Sequence, residues 1–145
     1  MPQLTLTNNL SKIWNRVPVI LEDENFTDDT GGFTGTNATI TKASGGLNVE
    51  STSTGGYAYK EYSCIPNTTF TYTIDLASGG IGGGHIGFGT SAGNTSLVNQ
   101  DVTTVATYTG SFTVGDTQTA LFLSLITDNN SITLRWDNIR IQEDN

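Results

Sequence analysis

The chain has 145 residues, 35% of them apolar, and a net charge of −8 at pH 7, which suits one domain with its own core and argues against a general affinity for nucleic acid. Cys64 and His85 are the only residues of their types, so neither an internal disulfide nor a cysteine–histidine zinc site can be drawn. No apolar run approaches the length that crosses a bilayer, and the first residues lack the charged head and long apolar middle of a secretory signal, so synthesis in a cytoplasm without membrane insertion is expected.

In chain order, Leu4 and Leu6 alternate with Thr5 and Thr7 as in an extended strand. The period then changes. Leu10, Ile13, Trp14 and Val17 fall at i, i+3, i+4 and i+7, one face of a two-turn helix that Asn8 or Asn9 would cap and Pro18 would end. Residues 1–16 are therefore expected to form an arm, distinct from a domain over 17–145. Lys12 and Arg16 give the arm a charge of +2, against −10 for the rest, where four basic residues face fourteen acidic ones. So short a helix is marginal alone. Leu4, Leu6, Leu10, Ile13 and Trp14 are expected to contact another chain, with Trp14 as anchor; packing on the arm's own domain is the alternative.

Residues 17–21 predict the first domain strand, followed by the acids Glu22, Asp23 and Glu24. A hairpin follows over 38–52, with Gly45 and Gly46 in its turn and Leu47 and Val49 pointing inward. Residues 57–63 predict another strand. In 69–77 the alternation is strict, placing Phe70, Tyr72, Ile74 and Leu76 on one face, as in a half-buried strand of a sandwich. The glycine-rich stretch 78–84 predicts a rim loop. Gly82, Gly84 and Gly87 have dinucleotide-fingerprint spacing, but the following residues read as a strand, which rules that motif out. A loop through Asn94 and Asn99 precedes a long strand pair over 104–127, in which residues 121–126 are apolar on both faces, as suits a central strand. Finally, Leu134 and Trp136 alternate, and Ile139 and Ile141 resume out of phase, which demands a bulge near Asp137 and Asn138. The sum is an all-β antiparallel sandwich with Phe70, Tyr72, Phe112, Leu123 and Trp136 buried.

The sequence Trp136-Asp137-Asn138-Ile139 resembles the closing strand of jelly-roll carbohydrate-binding modules, and Asn25, Phe26, Gly32 and Phe33 match the opening pattern of that galactose-binding-like family. The likeness spans roughly 17–142, in pattern more than identity. It implies an antiparallel jelly-roll β-sandwich. It also implies glycan contact through aromatic rings, for which Tyr57 and Tyr59 are the candidates and Trp136 and Tyr108 further ones. Many relatives hold a structural calcium between an acidic residue after the opening Phe and the Asp of the closing strand. Asp137 matches the latter; Thr27 stands at the former, so Glu24, or else Glu22 or Asp28, would have to substitute.

The chain also looks like compact jelly rolls of bacteriophage particles. That implies a virion structural protein, a capsid decoration or appendage on the virion surface whose partners are other virion proteins or copies of itself. The alternative is a module that recognises a cell-surface or environmental glycan. Catalysis is not expected. The acids cluster at 22–29 without a facing partner across a cleft, and His85 has no nucleophile elbow beside it. No cofactor is expected beyond the calcium.

Overall fold

The computed structural model describes residues 17–79 and 83–144; the arm over 1–16, with Leu4, Leu6, Leu10, Ile13 and Trp14, lies outside them, as does the centre of the glycine-rich loop. The described residues form strands β1 (Ile20–Glu24), β2 (Thr34–Thr36), β3 (Ala38–Ala43), β4 (Gly46–Ser51), β5 (Gly56–Ser63), β6 (Thr69–Gly79), β7 (Gly84–Gly89), β8 (Val98–Val102), β9 (Ala106–Thr113), β10 (Ala120–Thr127) and β11 (Thr133–Glu143). They pair antiparallel in two sheets. In the first the order is β3-β4-β11-β6-β9, with β1 also beside β11; in the second it is β2-β5-β10-β7-β8. This is the expected jelly-roll sandwich.

Its core follows from the period of two. Phe70, Tyr72, Ile74 and Leu76 of β6 are buried, as are Leu121, Leu123 and Leu125 of β10 and Leu47 and Val49 of β4. Phe88 of the second sheet packs 4.5 Å from Phe112 and 5.0 Å from Tyr72 of the first, ring centre to ring centre. These rings stitch the two layers together.

The closing strand carries the bulge. Asp137 pairs with Asp75 and Arg140 with Thr73, so β11 holds one more residue than β6 between those pairs. Asn138 absorbs the extra length with φ at 45°, a conformation that asparagine tolerates better than most residues. Leu134, Trp136, Ile139 and Ile141 can then all face inward, and all four are buried. The hairpin glycine is equally constrained. A Cβ on Gly46 would sit 2.2 Å from the Trp136 carbonyl oxygen, so β4 can approach β11 there only without a side chain.

Three details differ from expectation. The first strand begins at Ile20 rather than at residue 17, and Gly46 opens β4 instead of sitting in the turn. Strands β2 and β8 were not foreseen. β2 has three residues, and between its two valines β8 has only Asn99, Gln100 and Asp101, a polar composition suited to a sheet edge and invisible to hydrophobic periodicity.

Candidate functional site

The face of the second sheet that looks away from the core gathers the most ligand-like surface. Along β5, Gly56, Ala58, Lys60 and Tyr62 alternate inward, which turns Tyr57, Tyr59 and Glu61 outward. Register then fixes their neighbours. Tyr57 lies across from Thr36 and Ile126, and the same row continues to His85 and Asp101; Tyr59 lies across from Thr34 and Ser124, and its row continues to Gly87 and Asn99. Glu61, Phe122 and Gly89 form a third row. The rings of Tyr57 and Tyr59 are 6.2 Å apart and those of Tyr59 and Phe122 are 6.4 Å apart. All three, with Ile126, are partly exposed, so the two tyrosines line a surface and not the core.

Residues 90–97 fold back over the β7 side of this face. The Gly93 amide donates to Ser124 Oγ at 2.9 Å, and the Leu97 amide donates to the Phe88 carbonyl at 2.9 Å. Asn94 Oδ1 accepts from the Thr90 amide, the Ser96 amide and the Ser96 hydroxyl, which stiffens the loop from within. Glycine permits the close approach: a Cβ on Gly87 would lie 2.7 Å from Thr95 Cγ2, and one on Gly93 2.8 Å from the Tyr57 ring. The loop thus walls one side of an aromatic strip across β5 and β10.

At the end of that strip, His85 stands between two carboxylates, with Nδ1 2.9 Å from Asp101 Oδ1 and Nε2 3.0 Å from Asp128 Oδ1. Glu61, Asp101 and Asp128 make the surroundings acidic. Of the described basic residues, Lys42, Arg135 and Arg140 belong to the first sheet, and Lys60 points inward.

The two calcium candidates are not brought together. Glu24 pairs with Ile139, which faces the core, and so shares its face. Asp137, one residue after the inward Trp136, lies on the outside of the first sheet opposite Asp75. Its Oδ1 accepts from the Asn138 amide at 2.8 Å, while Asp75 accepts from the Asn138 side-chain amide at 2.8 Å and from the Thr107 hydroxyl at 2.6 Å. Glu24 Oε1 accepts from the Phe26 amide at 2.5 Å. The strand alternation before the bulge is what separates them. Among the described residues no group of three or more His, Cys, Asp or Glu side chains is placed to hold a metal ion.

Of the acids in the opening segment the buried one is Glu22, and its cation is internal. Lys60 Nζ lies 2.5 Å from Glu22 Oε2, and the Tyr62 hydroxyl donates to the same oxygen at 2.8 Å. The Lys60 ammonium also lies 5.8 Å from the Phe33 ring centre and 5.6 Å from that of Tyr62, within cation–π range. Burial, then the Glu22 charge, pushes the Tyr62 phenol well above its ordinary value of 10.0. The folded state therefore holds this proton more tightly than the unfolded chain, and that part of the stability should fall as pH rises above about 10. Thermal melts across alkaline pH should show this loss, and Tyr62→Phe should flatten the dependence.

Sequence reasoning placed Tyr57 and Tyr59 on one strand face, and the structure sets them side by side. Phe122 joins them on the outer face of β10, while the covering loop over 90–97 and the His85 pairing were not legible in strand alternation. A signal existed. A central strand apolar on both faces, beside a β7 with glycines at 87 and 89, calls for a cover on the second face. Trp136, the other aromatic considered for glycan contact, is fully buried, and Tyr108 ties its hydroxyl to the Thr104 carbonyl at 2.7 Å.

No family model and no curated sequence matches the chain. Solved structures do match in shape. The chain is similar to a Clostridium thermocellum xylanase fragment with carbohydrate-binding-module family 22 and catalytic modules, complexed with xylohexaose: 14% identity, 88% of this chain against 29% of that one, TM-score 0.66. It is similar to the N-terminal cellulose-binding domain of a Cellulomonas fimi glucanase at 13% identity, 88% of this chain and 98% of that one, TM-score 0.58. The enzymatically active domain of a bacteriophage CBA120 tailspike matches at 11% identity, 83% of this chain against 20% of that one, TM-score 0.59. The chain spans under a third of the xylanase fragment. At these identities the likeness establishes the fold, a jelly roll of the carbohydrate-binding-module type.

Proposed function

We propose that the domain is a non-catalytic glycan-binding module and that the outer face of its second sheet is the binding surface. The observation that carries this is the partly exposed row Tyr57, Tyr59 and Phe122, held on rigid strands and walled by residues 90–97. Sugar rings present apolar C–H faces that stack on aromatic rings, and their hydroxyls need fixed polar partners at the rim. Here Glu61, Asp101, Asp128 and Asn99 supply acceptors. With three acids and no lysine or arginine among the described residues of this face, a polymer of uronic or sialic acids would meet like charge, so the preferred ligand is a neutral saccharide. Two of the similar structures concern xylohexaose and cellulose, both neutral.

Affinity electrophoresis should show retardation by neutral β-glucans or xylans and none by polygalacturonate. Tyr57→Ala and Tyr59→Ala should each weaken binding by about tenfold or more, as for a central contact residue, with melting temperatures near that of the parent. Failure of the parent chain to bind any neutral glycan would overturn the reading, as would binding indifferent to both substitutions.

A second reading, that of a structural protein on a virion surface with residues 1–16 gripping virion proteins or other copies of itself, draws on the similarity to the tailspike domain. A phage protein that recognises glycan would satisfy both readings.

A further inference from the structure

Among the described residues, five large apolar side chains stand well exposed, and four of them, Val17, Val19, Ile20 and Ile65, belong to one end of the sandwich. Val19, Leu21, Cys64, Ile65 and Phe70 line a groove of about 160 Å³ there, with Glu143 at its polar side. For scale, an apolar cavity of about 150 Å³ accepts a benzene ring. Leaving such a groove in water forfeits the burial of its exposed walls, Val19 and Ile65.

The length of chain outside the described residues, and the point where it joins them, identify the occupant. Residues 1–16 enter the domain at Val17, two residues before the groove wall. Val17 is also the last member of the apolar i, i+3, i+4, i+7 spacing that begins with Leu10, Ile13 and Trp14, so that pattern ends in the exposed apolar end. Trp14 is only three residues from Val17, at most about 3.6 Å each even when extended, which leaves it within reach of the groove without any long connection. Charge agrees: Asp144, exposed beside this end with its amide on the Thr69 carbonyl, is opposite in sign to Lys12 and Arg16.

We infer that this end groove is the docking site for the segment bearing Leu10, Ile13 and Trp14 of the same chain. The same segment from a second copy would meet identical chemistry, but a tethered segment has an effective concentration of about millimolar, far above that of a dilute partner. The arm therefore closes its own domain's end instead of reaching to a neighbour. This inference is independent of the glycan surface on the second sheet, and its failure would leave that reading untouched.

Cys64, the only cysteine, supplies the test. It lies in the groove with its Sγ 3.5 Å from the Gln118 carbonyl oxygen, and a disulfide forms only when the two Cβ atoms come within about 3.5–4.5 Å. Ile13→Cys places a second thiol on the apolar face; Asn15→Cys places one on the opposite face of the same turn. Under mild oxidant at slightly alkaline pH, which offsets the raised thiol of Cys64, Ile13→Cys should close a disulfide within the monomer at least about tenfold faster than Asn15→Cys. Disulfide-linked dimers would overturn the inference in favour of a neighbouring copy. Equal rates for the two variants would overturn it outright. A second measurement avoids altering Ile13: the emission of the parent chain minus that of Trp14→Phe should be the blue-shifted spectrum of a buried indole. A water-exposed spectrum for Trp14 would equally end the proposal.

Discussion

Trp136→Ala should lower the stability of the domain by about 3–5 kcal/mol, the range for removing a large aromatic from a packed core. Trp136 is fully buried in β11, with Leu47 of β4 on one side and Leu76 of β6 on the other. Its own carbonyl is approached so closely by Gly46 that the backbone has little room to collapse into the space left behind. Urea unfolding followed by tyrosine fluorescence would measure the change. Trp136→Phe should cost clearly less, since most of the ring volume stays. A loss below about 1 kcal/mol for the alanine variant would mean that the site relaxes freely and that the core is not organised around this residue.

Lys60→Met should be nearly as damaging for a different reason. The substitution keeps most of the side chain's volume but leaves Glu22, which is 8% exposed, with a buried negative charge held only by the Tyr62 hydroxyl. Breaking a buried ion pair from one side costs about 3–5 kcal/mol, whereas replacing both partners with uncharged groups is often close to neutral. Lys60 is partly exposed, which places the expected loss toward the lower end of that range. The double variant Glu22→Gln/Lys60→Met should recover most of it. If the single and double variants lose the same stability in urea melts, the pair is not coupled and Lys60 serves only as packing against Phe33 and Tyr62.

The chemistry of that pair also bears on the calcium expectation at Glu24 and Asp137, which strand alternation sets on different faces of the first sheet. From the sequence, an acid-rich opening segment and a closing-strand Asp resemble a cation site. What the sequence could not show was that Lys60, an inward position of β5, delivers an ammonium to the buried acid of the opening strand, Glu22. Pairing across strands 38 residues apart leaves no local trace. By contrast, the alternation in β6 and the phase change in β11 are local and strong, so the sandwich and its bulge could be read directly. Tyr57 and Tyr59 were legible as a pair by the same alternation. Whether they faced core or solvent was not, because a two-sheet protein offers both options to every strand and only the assembled register decides. Phe122, in a strand apolar on both faces, carried the same ambiguity. The wall over the site came from glycine positions whose purpose appears only when a loop is seen to lie on them.

The position of β11 has a kinetic consequence. Residues 133–143 lie between β4 and β6 and also receive β1, so the first sheet owes its continuity to a strand more than a hundred residues from β1. Until that stretch has left the ribosome, the β3–β4 hairpin and the β6–β9 pair are separate, each with an unsatisfied edge. Closing the sheet last, over long sequence separations, makes assembly slow compared with proteins of local contacts, and it exposes strand edges for the duration. The nascent chain's hazard is thus concentrated in the interval before Trp136 arrives.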